Sequence, residues 1–414
     1  MSHRPEHTPP LTRRGLLAAA AVTPLALAGC GAPGGGGKAK SQPASSVPAK
    51  PKSAQVINIL DVAGNLQLTQ GMLDDFVRAH PDIVSRFTTT KATAPELAGK
   101  IKAQQDAGQV SIHLVLTGTD GLAAGIAQNL WVAMTPDYAS RLPDLTKIYQ
   151  EPAAKMQQLA QGHGVELVYY PSGPLFEYDP KVVTDPPTTA DDLLAWAKAH
   201  PGKFQYAVPE NSGPGRTLLM GLPYILGDSD PRDPDKGWDK TWAYLAELGR
   251  YVTYYPSGTS ETMKNLASGS VAMIASTTGW DINPRALGTV PKGMRITTLD
   301  GFHWVTDAQY AVVPKGVSAD AMSAMLNLIK FMLTPKQQAI AYDTGYFYPG
   351  PAVKGVSLSM APAASQKVVK DFGRSEYAQL IADHPKETSL PATQQVAAFD
   401  KWDRTIAGTK AKKK

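Results

Sequence analysis

The residues with the clearest chemical potential lie in a short polar loop, Pro209-Glu210-Asn211-Ser212-Gly213-Pro214-Gly215-Arg216-Thr217, just ahead of the apolar run Leu218-Leu219-Met220. Free backbone N–H groups at a helix start, with Ser212, Gly215 and Arg216 beside them, can hold a carboxylate or a phosphate. The same spacing also fits a plainer role, a tight turn at 213–215 followed by an arginine paired with a structural carboxylate. Asp61, Asp120, Asp281 and Asp307 offer carboxylates for a cation. Trp280 and Trp304 lie in polar loops, where a ring can stack on a flat sugar face or enclose an alkylammonium group. Tyr346 and Tyr348, in the turn-rich stretch 345–351, are candidate cleft walls, and Asn65, Thr119 and Thr278 stand next to these groups in the chain.

The elements that must position them read as alternating strands and helices. Gln55-Val56-Ile57-Asn58-Ile59-Leu60-Asp61 is a strand, followed by helical spacing at Met72, Leu73, Phe76 and Val77 that stops at His80-Pro81. Arg86-Phe87-Thr88-Thr89-Thr90 is a second strand, and Thr93-Ala94-Pro95-Glu96 caps a helix running to about Gln105. Residues 111–116 form an apolar third strand, with His113 as a satisfied core histidine. This order predicts a parallel α/β sheet, whose ligands bind beyond the carboxyl ends of the strands, here 61–65 and 117–120. Further on come a strand at 165–171, a proline-led, Thr-capped amphipathic helix at 186–197, and a strand at 204–208 leading into the polar loop. Trp196, Trp242 and Trp402 read as core. The pentapeptide Tyr-Tyr-Pro-Ser-Gly occurs at 169–173 and again at 254–258, which coincidence or two similar strand exits would explain.

Several functions are disfavoured. A single cysteine in 414 residues excludes an intramolecular disulfide framework and multi-cysteine metal sites. Gly213-Pro214-Gly215 lacks the third glycine of a dinucleotide fingerprint, and 34–38 lacks the first glycine and the Ser or Thr of a P-loop. The eight histidines have no metal-ligand spacing, and no nucleophile elbow or EF-hand loop occurs. A hydrolase assembled from Ser257, His303 and Asp307 remains conceivable. The formal charge of +5 is carried by the ends: residues 56–409 hold 30 basic and 35 acidic groups. With no basic stripe left, nucleic acid is disfavoured as a partner.

Arg13-Arg14, the uncharged run 15–28 and Leu27-Ala28-Gly29-Cys30 make a secretory signal, too short to span a membrane. Thr12-Arg13-Arg14-Gly15-Leu16-Leu17 resembles a twin-arginine export signal, and Leu27-Ala28-Gly29-Cys30 resembles a lipobox, which implies lipid on Cys30. The alternative is a free cysteine after an ordinary signal. The expected organisation is therefore signal peptide 1–29, lipidated Cys30 and flexible linker 30–55, a folded body, and a basic tail 407–414.

Four segments in chain order resemble the extracellular solute-binding proteins of bacterial ABC importers, in a polyamine, thiamine or iron-like branch. They are 165–197, with Tyr178-Asp179-Pro180 and the Pro186-Pro187 helix; Ala267-Ser268-Gly269-Ser270-Val271-Ala272-Met273-Ile274; Tyr310-Ala311-Val312-Val313-Pro314-Lys315-Gly316; and Leu333-Thr334-Pro335-Lys336-Gln337-Gln338-Ala339. The resemblance implies an α/β, two-lobed periplasmic-binding-protein-like fold of type II. Each lobe would be a mainly parallel sheet flanked by helices, and strands would form the hinge between them. Lobe 1 would be 55–167 plus 307–345, and lobe 2 170–304 plus 350–406. It also implies a monomer that is not an enzyme, needs no cofactor, and is exported and lipid-anchored on the outer face of the cytoplasmic membrane. Such a protein captures a small solute and delivers it to the membrane-spanning permease. The carboxylates and aromatics favour a small organic cation of polyamine or thiamine type, with Arg216 suggesting an added anionic group. The alternatives are a carbohydrate ligand or a secreted lipoprotein hydrolase.

Overall fold

The computed structural model describes residues 39–411 other than Ala63. The expected signal peptide with Arg13 and Arg14, the expected lipidation at Cys30 and the last three lysines lie outside the described residues.

In chain order the strands are β1 (Gln55–Val62), β2 (Val84–Ala92), β3 (Leu114–Thr117), β4 (Gly164–Gly173), β5 (Leu175–Tyr178) and β6 (Phe204–Gln205). They continue with β7 (Met273–Ser276), β8 (Arg295–Thr297), β9 (Trp304–Val312), β10 (Gly350–Pro351) and β11 (Lys386–Thr388). The first sheet runs β10-β4-β9-β3-β1-β2, with β11 added to the start of β9; the second runs β6-β7-β5-β8. β1 is parallel to both β2 and β3, and helices Leu66–Ala79 and Ala94–Asp106 make the crossovers. The capping box forms as expected, with the Thr93 N–H donating to Glu96 Oε2 at 2.9 Å.

β4 and β9 connect the lobes. They pair antiparallel, every residue of both is buried, and β4 continues through Pro174 into β5 of the second sheet. Near-continuous apolar and aromatic sequence is what a strand covered on both faces requires. The two-lobed α/β architecture holds, but the pairing is more mixed than a mainly parallel sheet. Crossing strands run both ways between the sheets, so β3–β9, β4–β9, β5–β7 and β5–β8 are all antiparallel.

Other differences have local causes. The third strand begins at Leu114 rather than 111, because Gln104 Oε1 accepts the N–H groups of Ser111 and Ile112 at 2.9 and 3.1 Å. His113 accepts the Asn58 N–H on Nδ1, as a satisfied core histidine should. Part of the expected flexible linker is docked. Tyr138 and Arg141 donate to carbonyls at Gln42, Val47, Pro48 and Ala49, and Val47 joins the first core. The basic tail likewise begins with a packed segment, in which the Tyr255 N–H donates to Lys410 O and Lys410 Nζ to Gly249 O. Finally, β10 and β11 join the first sheet although 350–406 was expected in lobe 2. Two- and three-residue edge strands have no periodicity to announce them.

Glu166, on β4, is fully buried, and neither carboxyl oxygen has a hydrogen-bond partner. Burial first, and then the negative charge of Asp307, raises its pKa well above the ordinary value of 4.5. Because the folded pKa exceeds the unfolded one, the native state is favoured below the unfolded value and loses that advantage as pH rises through the folded pKa. Glu166→Gln keeps the shape without the titrating proton. The variant should show a shallower fall in Tm than wild type between about pH 5 and about pH 8; parallel curves in a calorimetric scan would refute this reading.

Candidate functional site

A cavity of about 600 Å³ lies between the carboxyl ends of the first-sheet strands and the second lobe. From the first lobe it is lined by Val62, Thr93, Asp120, Tyr170, Gln309 and Tyr346; from the second by Glu210, Ser212, Arg216, Ser257, Ser260 and Trp280. Glu261 and Lys264 complete the second-lobe wall.

Arg216 is the most constrained of these groups. It sits in the first turn of helix Gly213–Ile225 and is 5% exposed. One guanidinium nitrogen lies 3.2 Å from Asp120 Oδ2, and the other bonds Asp307 Oδ2. Asp307 lies mid-way along β9 and also accepts from Tyr170 Oη at 3.0 Å, Thr119 Oγ1 at 3.1 Å and the Ala308 N–H at 2.9 Å. Burial works to lower the Arg216 pKa, but the carboxylates of Asp307 and Asp120 more than offset it and raise the value. The structure thus supplies the plainer of the two roles, an arginine matched by protein carboxylates. The glycines behind it are packing devices: a Cβ on Gly215 would lie 2.3 Å from Ala207 O, and the Gly215 N–H is taken by Ser212 Oγ at 3.1 Å.

The other sequence candidates separate into walls, supports and core. Asp120, Ser212, Arg216, Trp280 and Tyr346 line the cavity. The Trp280 and Tyr346 rings meet edge to face at 5.6 Å. Supports stand one layer behind. Asp61 Oδ1 accepts the Leu66 N–H at 3.1 Å, and its pKa is raised mainly by burial. Tyr346 is pushed up to about 12, first by burial and then by Asp61. Asn65 donates to Gln309 at 3.4 Å, while Thr119 holds Asp307. Four candidates lie away from the cavity wall. Trp304 is fully buried, donating Nε1–H to Leu380 O at 3.0 Å. Thr278 donates to Tyr348 O at 2.8 Å, and Tyr348 packs against Tyr377 with ring centroids 6.1 Å apart. Asp281 is held by Arg285, Arg374 and the Tyr377 hydroxyl, the last at 2.6 Å. Polar flanking sequence was the only signal at Trp304, and the ring is enclosed by Phe302 and, from a distant part of the chain, by Tyr377 and Leu380.

Several wall residues carried weaker signals. Tyr170 and Ser257 belong to the two copies of Tyr-Tyr-Pro-Ser-Gly, and both copies reach the cavity. Gly258-Thr259-Ser260-Glu261 is a helix start that cap rules can detect, opening helix Thr259–Ala267 toward the cavity. Gln309 and Lys264 had no local signature. The imagined hydrolytic triad does not assemble: His303 Nδ1 lies 3.4 Å from Glu387 and its ring stacks on Tyr224, while Asp307 serves Arg216. Among the described residues there is no cluster of three or more His, Cys, Asp or Glu able to hold a metal, and no helix is long and apolar enough to cross a membrane.

The family profile described as bacterial extracellular solute-binding protein matches residues 71–371. Solved structures share the architecture. The spermidine/putrescine ABC transporter substrate-binding protein PotD from Streptococcus pneumoniae superposes with a TM-score of 0.55 at 14% identity, over 85% of this chain and all of that one. The periplasmic binding protein AfuA from Actinobacillus pleuropneumoniae, solved with fructose-6-phosphate, gives 0.58 at 14% identity, over 85% and 99%. The Atu4243–GABA receptor gives 0.60 at 18% identity, over 86% and 98%. A comparison with curated sequences finds no match. The chain belongs to the bacterial extracellular solute-binding proteins. These are exported, non-enzymatic proteins that bind a small molecule and serve an ABC permease.

Removing Arg216 leaves Asp307 buried without its cation. Arg216→Met should therefore cost about 3–5 kcal/mol of stability, and adding Asp307→Asn should recover part of that loss. Denaturant titration of the two singles and the double checks it; strict additivity would mean that the two residues act independently.

Proposed function

We propose that the bound solute is a small organic cation carrying an ammonium group, of polyamine or thiamine type. One observation carries this reading. The cavity wall carries three carboxylates, Asp120, Glu210 and Glu261, against two cations, Arg216 and Lys264, and Arg216 is also matched by the buried Asp307 behind it. The local balance is negative, and the Trp280 and Tyr346 rings add faces suited to an alkylammonium chain. The same matching weakens the case for an anionic group on the ligand, because carboxylates take both terminal nitrogens of Arg216 and leave only its Nε–H without a partner. The PotD resemblance agrees with this class without establishing it. A carbohydrate is the second reading, favoured by the hydroxyls of Ser212, Ser257, Thr259 and Ser260 on one wall.

Binding couples to closure if the lobes hinge about β4 and β9. On this reading lobe 1 is 55–167 with 307–345, lobe 2 is 170–304 with most of 350–406, and β10 and β11 belong with the first sheet. The protein works as a monomer held to the outer face of the cytoplasmic membrane by lipid on Cys30, after export through the signal containing Arg13 and Arg14.

Titration calorimetry with 1,4-diaminobutane, spermidine, thiamine, fructose-6-phosphate and neutral sugars distinguishes the ligand classes. The cation reading expects an amine to bind stoichiometrically and the sugars not to; binding of a sugar alone overturns it. Amine affinity should also fall with acidification, because Glu210 has its pKa raised, first by desolvation and then by Asp120, Asp400 and Asp403. A raised carboxylate pKa moves the loss of negative charge to higher pH than for an ordinary glutamate. An affinity constant from pH 7 to about pH 4.5 checks the sign. For the anchor, Cys30→Ser should move the protein from the membrane fraction to the soluble exported fraction; full retention on the membrane counts against lipidation.

A further inference from the structure

A second space opens beside the main cavity. About 120 Å³ in volume, it shares Asp120 and Glu210 with the cavity and lies between helices Ala94–Asp106 and Thr119–Ala127 of the first lobe and helix Ala392–Trp402 near the C-terminus. Ala94, Ala98, Ala123 and Ala124 form small apolar walls, and Gln395, Val396, Phe399 and Gln128 complete it. The space has room for a short methylene stem with a terminal amine.

Gln395 is the notable wall residue. It is 1% exposed, and neither Oε1 nor Nε2 of its amide has a hydrogen-bond partner. A buried amide left unpaired on both ends is costly, and native proteins rarely keep one without a use. The electrostatics around it are one-sided. Asp120 and Glu210 line the space, Asp400 follows Phe399 on the same helix, and Asp403 begins the next turn. Burial first, and then the charges of Asp120, Asp400 and Asp403, raise the Glu210 pKa. Arg216 reaches Asp120 from the main cavity, but it does not line this chamber.

We propose that this side chamber receives the primary ammonium end of the solute, with Gln395 as a specificity-determining residue and Asp120 and Glu210 as its charged partners. The inference rests on the reading of the solute as an organic cation. A primary ammonium donates three hydrogen bonds and would satisfy Gln395 Oε1 together with the two carboxylates. The Gln395 Nε2–H then turns to a carboxylate oxygen that the ammonium leaves open. A trimethylammonium group carries the same charge with no donor and should be rejected. Helix Ala392–Trp402, lying against helix Thr119–Ala127, would thereby read the solute directly and close over its end.

The test is calorimetry on the full chain with 1,4-diaminobutane and its bis(trimethylammonium) analogue. Wild type should bind the diamine and discriminate against the methylated probe by about tenfold or more. Gln395→Leu should weaken diamine binding by a similar factor and erase that discrimination, while Tm holds or rises because an unpaired amide is gone. Gln395→Glu, close in size, adds a carboxylate that accepts from the ammonium and should tighten diamine binding by about fivefold or more. It also carries the test if the leucine variant fails to fold. If wild type binds the diamine but both variants stay within about twofold of it, the chamber proposal is overturned and the cation reading stands. If no amine binds to wild type while a sugar or sugar phosphate does, the cation reading fails and takes the chamber with it.

Discussion

The arrangement depends on one buried ion pair, the Arg216 guanidinium against Asp307 on a strand that joins the lobes. A desolvated guanidinium needs its charge matched, and Asp307 is held in place for that purpose by Tyr170, Thr119 and the Ala308 N–H. The pair ties the first turn of helix Gly213–Ile225 to the middle of β9, which sets where Ser212 and the loop 209–211 face the cavity. Asp120 makes the second contact from the β3 exit. The two contacts are unequal in burial: Asp307 has no exposed side-chain surface, while Asp120 keeps 12%. Water can replace Arg216 at Asp120 far more cheaply than at Asp307. Lobe separation that keeps the β9 contact and releases Asp120 is therefore the low-cost motion, and Asp120 is also the carboxylate that faces the cavity.

A second ion cluster shows the same residue types in another role. Asp281 is enclosed by Arg285, Arg374 and Tyr377, with Glu177 nearby on β5. Burial, and then the charge of Asp281, raises the Glu177 pKa well above the usual range. Arg374 comes from chain beyond β10, so this cluster fastens the late segment 363–383 to helix Thr278–Ala286. It stiffens the second lobe under Trp280 without touching ligand space. Asp120 and Asp281 are both aspartates next to a helix start. What distinguishes them is which cations the distant chain brings, one arginine shared at the cavity edge in the first case and two arginines with a tyrosine in the second.

That difference marks the boundary of what local sequence could reveal. Features set by neighbours in the chain were legible: the capping box at Thr93, the threonine cap of the helix after 186–189, the β-branched run of β1, the stop at His80, and the apolar crossing strand at 165–171. The two-lobed architecture followed from motif order. Exposure in the folded state was not legible. Trp280 and Trp304 have similarly polar surroundings, yet the helix Tyr377–Asp383 packs on one and the other stays at the cavity. The segment 42–50 has a linker's composition, but Arg141 accepts a partner's geometry rather than its sequence, and any exposed carbonyls at that spacing suffice. Gln395 and Glu210 look like ordinary helix and loop polar residues until two lobes bring them beside Asp120.

The repeated pentapeptide makes the point within one molecule. At 169–173 Tyr-Tyr-Pro-Ser-Gly is strand, with Tyr170 stacked on Phe347 at 4.6 Å and its hydroxyl on Asp307. At 254–258 it is a loop: Tyr255 packs into the second core against Tyr206 and Trp402, and Gly258 opens a helix. The first copy finds a strand partner in β9 and becomes part of the hinge. The second finds only a single bridge at Ala411 and turns away, which places Ser257 at the cavity. Ser172 of the first copy is thus fully buried, while its counterpart Ser257 reaches the cavity wall. The charge of the cavity wall belongs to that assembly: Asp307 pairs with the buried arginine, and Asp120, Glu210 and Glu261 stand on the wall with Arg216 and Lys264.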